Sequence, residues 1–199
     1  PDANHLSLTI NDGTVSFEIQ PTKIKIMPTN QTVKQNAFLE VNVSIEPTEE
    51  IWGVQFDIIF NPDEVTVNNI SYGEFFGSQG MFIPGEINNT IGIIDNMACT
   101  YIGPGGVSSP GNVAIINFSV SPTARGSTIN LSEVIILNPD AQSIPFIIEN
   151  GSFDVEIPET VVEITPPTQT VSQKELFTVN ITVIPGTEIA GVQADILFD

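Results

Sequence analysis

The sequence predicts an all-β fold, a two-layer antiparallel β-sandwich of the jelly-roll type with about nine or ten short strands. Three observations support this prediction. Apolar residues alternate with polar ones, or run continuously, over short segments, and Gly, Pro, Asn and Asp separate these segments. Helix signals are nearly absent, so no crossover helix is expected between neighbouring strands.

Seven segments have the residue pattern of a strand, and tight turns close two hairpins. The segments are 14–19, 23–26, 38–45, 54–60, 91–101, 113–120 and 146–157. The turns are Asn11-Asp12-Gly13 and Glu149-Asn150-Gly151, whose Asn and Gly residues adopt positive φ readily. We therefore expect each turn to close a terminal β-hairpin of a domain.

The chain contains a long internal repeat. Residues 1–61 align without a gap on residues 139–199, at a constant offset of 138, and 25 of the 61 pairs are identical. A unit of this length far exceeds the 20 to 50 residues of a solenoid repeat, so each copy should be a whole domain. The sequence therefore predicts a tandem array of sandwiches.

The phase of the repeat divides the chain into three parts. We expect 1–19 to be the terminal hairpin of a preceding repeat, 20–158 a complete sandwich, and 159–199 the first strands of a following repeat. Because lone hairpins are marginally stable, the end fragments should be completed by neighbouring copies, either along one chain or by strand exchange between subunits. The short linker around Pro158 should couple adjacent domains closely.

Composition excludes several classes of partner. The chain has 5 Lys plus Arg against 24 Asp plus Glu, a net charge of -19 and a pI near 4.1. This charge repels nucleic acid and anionic membrane surfaces, so no nucleic-acid partner is expected. With 41% hydrophobic residues the chain should fold, yet no apolar run is long enough for a membrane span.

Asparagine usage indicates export to the cell surface or beyond it. Eight of the seventeen asparagines begin an Asn-X-Ser/Thr triplet, against about three expected by chance. The alternative is that a β protein rich in Thr, Ser and Asn contains such triplets through its composition, without being glycosylated. Strand alternation nevertheless places Asn42 and its repeat partner Asn180 on the outward side. The predicted N-glycosylation sites are Asn30, Asn42, Asn69, Asn88, Asn117, Asn130, Asn150 and Asn180.

Residues that support enzymatic chemistry are scarce, so we predict no catalytic activity. The single Cys99 cannot form an intrachain disulfide, and the only histidine, His5, lies outside the complete domain. Acidic pairs such as Asp63 and Glu64 are expected to be solvated turn residues. No cofactor is expected beyond covalent glycans. The many carboxylates are compatible with calcium, but no ligand spacing selects a site.

Several segments resemble the cohesin family, over roughly residues 23–157. Residues 51–65 resemble the family strand in which Gly53 precedes alternating apolar residues and a proline turn. Residues 111–118 resemble its strand of Gly, small apolar, Ile and Phe residues, and 149–153 its last hairpin. The resemblance implies a cohesin-like jelly roll without catalytic activity. Many cohesins bind dockerin modules through one flat sheet face.

The resemblance also implies where such a face would lie, namely on the strands at 54–60 and 113–120. Alternation predicts that its outward residues include Gln55, Asp57, Ile59, Val113 and Ile115. A glycan on Asn117, predicted for the same face, would block a flat partner. Gln55 also replaces an acidic residue that dockerin-binding members often have. Both departures argue against dockerin binding.

Three function classes follow from these predictions. We favour a structural module of a glycosylated extracellular fibre, sheath or surface layer. The second class is a scaffold cohesin that binds dockerin, and the third is a carbohydrate-binding module in which Trp52 stacks on sugar rings. Since the repeat partner of Trp52 is Ala190, a sugar site there would be absent from the next copy. We expect Tyr72, Phe75 and Phe76 to belong to the core.

Overall fold

The structure, a computed structural model, describes residues 21–197. It is all β apart from one short 3₁₀ turn at Gly77–Gln79. The predicted hairpin within 1–19 and His5 lie outside the described residues. The strands are β1 (Thr22–Met27), β2 (Asn30–Lys34), β3 (Phe38–Glu46), β4 (Gly53–Phe60), β5 (Val65–Tyr72), β6 (Gly80–Ile83), β7 (Glu86–Asn88), β8 (Ile93–Tyr101), β9 (Gly111–Val120), β10 (Gly126–Leu137), β11 (Phe146–Glu149), β12 (Gly151–Glu156), β13 (Val161–Thr165) and β14 (Asn180–Ile184).

Strands β1 to β12 form two facing sheets. The five-stranded sheet has the order β11-β1-β3-β9-β5. The seven-stranded sheet has the order β2-β12-β10-β4-β8-β6, and β7 also pairs with β8. All six segments predicted as strands within the described residues form strands, but 146–157 divides into β11 and β12. Sequence reasoning missed β2, β5, β6, β7 and β10, of which β2, β6 and β7 are short and none stands out by strict alternation.

The expectation of purely antiparallel pairing is wrong at two sheet edges. β11 pairs in parallel with β1, and β12 pairs in parallel with β2. These partners lie at opposite ends of the domain sequence, so no short turn forces them to run antiparallel. The hairpin predicted at Glu149-Asn150-Gly151 does not form, because β11 joins one sheet and β12 the other, and neither Asn150 nor Gly151 has a positive φ. The last two strands therefore tie the two sheets together.

The core lies between the two sheets and follows the sequence alternation. Along β3, buried residues alternate with exposed or half-buried ones from Leu39 to Ile45. Phe56, Phe118 and Phe153 are among the largest fully buried side chains. The ring of Phe60 meets that of Phe118 edge-on, with the ring centres 5.5 Å apart. Burial of this apolar surface, at about 25 cal/mol per Å², is the main stabilising contribution.

The separate β13–β14 pair repeats the β1–β3 pair in its register. Lys23 pairs with Glu46 in the first pair, and Val161 pairs with Ile184 in the second, which is a shift of 138 residues at both positions. The side chains differ in their surroundings. Ile24 is fully buried, whereas its repeat partner Val162 is 49% exposed, because residues 161–197 contribute only these two strands to their unit.

Candidate interaction faces

The outer face of the five-stranded sheet carries three of the predicted glycosylation sites. Asn42 lies on β3, Asn117 on β9 and Asn69 on β5. Asn69 and Asn117 are direct cross-strand partners, and Asn42 pairs with Ile115, two residues along β9. Because residues two apart in a strand share a face, each triplet also presents its serine outward. We call this surface the sequon face.

The remaining predicted glycosylation sites are also outside the core. Asn30, Asn69, Asn88, Asn150 and Asn180 are exposed, whereas Asn42, Asn117 and Asn130 are half-buried. Asn130 lies on β10 and pairs with Ile59 of β4. All eight positions are therefore compatible with attachment of a sugar, and their occupancy remains a prediction.

The outer face of the seven-stranded sheet carries a different surface, which we call the apolar band. One row of cross-strand partners runs from β10 to β6 and contains Ile135, Gln55, Ala98 and Ile83. The next row contains Leu137, Gly53, Thr100 and Met81. Ile135, Ile83 and Met81 are between 43% and 53% exposed. Neither row contains a charged residue or a predicted glycosylation site.

A shallow depression lies within the apolar band, and Trp52 forms part of its wall together with Gln55, Ala98, Ile135 and Leu137. The backbone fixes Trp52 on both sides. Its N–H donates to Leu137 O at 2.8 Å, and its carbonyl accepts from Tyr101 N at 2.8 Å. Exposed apolar patches rimmed by polar residues commonly mark interaction sites. The apolar band is therefore the surface best suited to a protein or sugar ligand.

The predicted interaction face does not exist as one surface. Gln55, Asp57 and Ile59 belong to β4 in the seven-stranded sheet, whereas Val113 and Ile115 belong to β9 in the five-stranded sheet. Both segments form strands as predicted, but the alternation of residues within a strand does not reveal which sheet that strand joins. Consequently Asn117 lies on the side of the sandwich opposite Gln55.

Two members of that predicted face are also buried rather than outward. Val113 is fully buried at a β-bulge in β9, where it and Ala114 both point into the core. Asp57 is only 7% exposed, because both neighbouring strands bulge beside it. Its Oδ1 accepts the N–H of Asn96 in the β8 bulge at 2.8 Å. An extra residue breaks the period of two, so alternation fails at bulges.

The aromatic residues after β5 belong to the core region, as predicted. Phe75 and Phe76 are buried, and their ring centres are 4.6 Å apart. The Tyr72 hydroxyl accepts the N–H of Phe76 at 2.7 Å and its ring stacks on Phe82. Cys99 is fully buried close by, and burial raises the pKa of its thiol to about 11. Because it is buried and protonated at neutral pH, the Cys99 thiol is not suited to act as a nucleophile.

The described part of the chain contains no cluster of side chains that could hold a metal ion. Among residues 21–197, no group of three or more His, Cys, Asp and Glu side chains converges as metal ligands would. The same residues include no helix with the length and apolar character that crossing a bilayer requires.

Comparison with known proteins identifies the family. The profile of the Cohesin domain matches residues 22–155. The chain is similar in fold to a non-cellulosomal cohesin from the hyperthermophilic archaeon Archaeoglobus fulgidus, with a TM-score of 0.56 and 17% identity over 69% of this chain and 92% of that one. No curated protein matches the sequence.

Cohesins solved as complexes with dockerins are similar to the chain as well. One is from a type I complex of Clostridium thermocellum, with a TM-score of 0.56 and 16% identity over 69% of this chain and all of that one. Another is a cohesin of Acetivibrio cellulolyticus, with a TM-score of 0.54 and 22% identity over 67% of this chain and 98% of that one. Since the family profile spans well over half of the 199 residues, this chain belongs to the cohesin domain family.

Proposed function

We propose that the chain is part of a tandem array of non-catalytic cohesin modules, N-glycosylated and extracellular, that builds a fibre, sheath or surface layer. The observation that carries this proposal is the register of β13 and β14, which equals that of β1 and β3 after a shift of 138 residues. Cohesin domains are interaction modules rather than enzymes, which agrees with this role. Partners in the array are neighbouring copies of the same unit.

The hydrogen bonding around the domain junction supports the same proposal. In the first unit the N–H of Thr48 donates to Thr22 Oγ1 at 3.1 Å. In the second unit the N–H of Gly186 donates to Thr160 Oγ1 at 3.2 Å. These donors and acceptors are also related by the 138-residue shift. The end of the strand pair thus recurs as well as its register, as expected if each unit begins an equivalent domain.

Imaging of natively sourced material tests the array, and glycopeptide analysis of the same sample tests the glycans. We expect a regular filament or lattice with a domain-sized repeat, and sugar on several of the eight asparagines. Isolated flexible strings would count against an architectural role. If all eight asparagines carry no sugar, the proposed glycosylation is refuted, whereas the proposed tandem array is not affected.

Dockerin binding is a second candidate, and one observation favours it. Asn117 lies on the sheet opposite the apolar band, so a glycan there would not obstruct a partner that docks on the band. The two rows of the band contain no charged residue and span four strands, β10, β4, β8 and β6. Apolar residues at the centre of a flat protein surface are typical of the buried core of an interface. Several similar cohesins were solved with a dockerin bound.

A binding assay with two matched variants tests this candidate. We expect the sugar-free chain to bind a dockerin at micromolar affinity or better. Ile135→Glu should weaken binding by about tenfold or more, because it buries a charge in the band. Ile59→Glu is the control, since Ile59 is exposed to the same degree, 42% against 43%, but lies outside the band. Equal effects of the two variants would place the docking surface elsewhere.

Carbohydrate binding remains the third candidate because Trp52 lines the depression in the apolar band. Retention of the chain on an insoluble polysaccharide, abolished by Trp52→Ala, would support it. Retention unaffected by that substitution would exclude this depression as the sugar site.

A further inference from the structure

The sandwich has four sheet edges within its described residues. β5 and β11 are the edges of the five-stranded sheet. β2 is one edge of the seven-stranded sheet, and β6 and β7, which both pair with β8, together form the other. An edge strand presents unpaired backbone N–H and C=O groups, which can pair with the edge of another molecule. Proteins that remain soluble protect such edges.

Few of the side chains that usually protect such edges are present. Only Lys34 on β2, Glu86 on β7 and Glu149 on β11 are charged, and none of the five strands contains Pro. Two edges also expose large apolar side chains. Ile147 and Ile148 of β11 are 45% and 38% exposed, and Met81 and Ile83 of β6 are more exposed still. On composition alone, these edges should be prone to aggregation.

A predicted glycosylation site lies on a strand of three of these edges, and a fourth lies in the turn after β11, where its side chain bonds β10 of the other sheet. Asn30 lies on β2, Asn69 on β5 and Asn88 on β7, and Asn150 directly follows β11. All four are exposed. The three other sites of this domain, Asn42, Asn117 and Asn130, lie on interior strands and are half-buried.

We propose that N-glycans on Asn30, Asn69, Asn88 and Asn150 cap the sheet edges and prevent edge-to-edge pairing between sandwiches. The proposal rests on the glycosylation in the proposed function and assigns these four sugars a role. Bulky hydrated chains at the edges would keep other strands from approaching the free backbone groups. Contacts between modules would then be confined to the sheet faces and the domain junctions.

The hydrogen bonds of these asparagines are compatible with a sugar on the side-chain nitrogen. A glycosylated amide keeps its carbonyl oxygen and one N–H. Asn88 Oδ1 accepts from the N–H groups of Thr90 and Ile91 at 3.1 and 3.3 Å. Asn150 Oδ1 accepts from Leu131 N at 2.9 Å. Asn30 Nδ2 donates to Ser152 Oγ at 3.1 Å and to Asp154 Oδ2 at 3.3 Å, and the one N–H that remains after glycosylation could keep one of these two bonds.

The test removes either set of triplets without changing an asparagine. The edge variant carries Thr32→Ala, Ser71→Ala, Thr90→Ala and Ser152→Ala, and the interior variant carries Ser44→Ala, Ser119→Ala and Ser132→Ala. The full chain and both variants are secreted from a glycosylating host, and glycopeptide analysis records their occupancy. Light scattering after size-exclusion chromatography then measures how fast monomer is lost at raised concentration.

We expect the edge variant to lose monomer about tenfold faster than the wild type, and the interior variant to match the wild type. Equal behaviour of the two glycosylated variants would overturn the capping role. Bare asparagines in the wild type would instead refute the glycosylation on which it depends. The same three chains from a non-glycosylating host serve as the folding control. In that host, the edge variant should lose monomer no faster than the unglycosylated wild type. Faster loss there would show that the substitutions themselves, and not the missing sugars, cause the effect.

Discussion

Asn89 pairs with the backbone of Val67 at the open edge of β5. Its Oδ1 accepts the Val67 N–H at 2.9 Å, and its Nδ2 donates to the Val67 carbonyl at 3.2 Å. A side-chain amide has the same donor and acceptor as a peptide group, so Asn89 replaces a neighbouring strand for one residue. The edge of β5 is thus partly satisfied within the domain, immediately beside the predicted glycosylation site at Asn88.

Replacing Asn89 should destabilise the domain. Asn89→Ala leaves both backbone groups of Val67 without these partners, and we expect the free energy of unfolding to fall by about 1–2 kcal/mol. Denaturant unfolding measures this change, and the Asn88 triplet is retained. Asn68→Ala is the control, because the exposed Asn68 bonds only the Ser119 hydroxyl, and its loss should stay within about 0.5 kcal/mol. Equal losses in the two variants would show that the hydrogen bonds of Asn89 to Val67 add no more stability than an exposed side-chain contact.

Asp57 should be required for the paired bulges of β8 and β10. Asp57→Ala removes the acceptor of the Asn96 N–H in a site that is only 7% exposed. We expect a loss of about 2 kcal/mol in the free energy of unfolding, because a part-buried hydrogen bond to a carboxylate is removed. Asp57→Asn keeps a carbonyl oxygen and should lose less than half as much. A neutral Asp57→Ala variant would mean that water replaces the carboxylate.

The repeated threonine contact offers a matched pair of variants. Thr22 is fully buried, whereas its repeat partner Thr160 is exposed. Thr22→Val should lower the free energy of unfolding by about 1 kcal/mol or more, since it removes a part-buried hydrogen bond between the buried Thr22 hydroxyl and the N–H of Thr48. Thr160→Val should change it by less than about 0.5 kcal/mol, since water can replace the exposed hydroxyl. Similar values for both would contradict this burial argument.

Cys99 should be inert in the native state. With its pKa raised to about 11 by burial, the thiol is protonated at pH 8 and should react with a disulfide reagent only after unfolding. The unfolded thiol titrates first, near its ordinary pKa, so native stability should fall as pH rises from about 9 through 11. Denaturant midpoints across this range measure the effect, and Cys99→Ala should remove this contribution. Rapid native labelling at pH 8 would contradict the predicted burial.

Much of the fold could be predicted from local pattern. Alternation at Leu39 to Ile45 and the apolar run of β4 identified real strands, because burial of one sheet face imposes a period of two. The short edge strands escaped notice, since few of their residues are buried. The inferred face that joined Gln55 to Val113 failed because sheet membership depends on pairing between distant segments, which no local pattern encodes.

The sequence alone determined the strand-rich class, the 138-residue repeat and the positions of the Asn-X-Ser/Thr triplets, since each is a property of residue order. Only the tertiary structure decided which sheet each strand joins. It put Asn117 on the face opposite the apolar band, and the bulges buried Asp57 and Val113. It also distinguished edge from interior asparagines. The physical reason is that hydrogen bonding between strands far apart in sequence sets the neighbours of every strand.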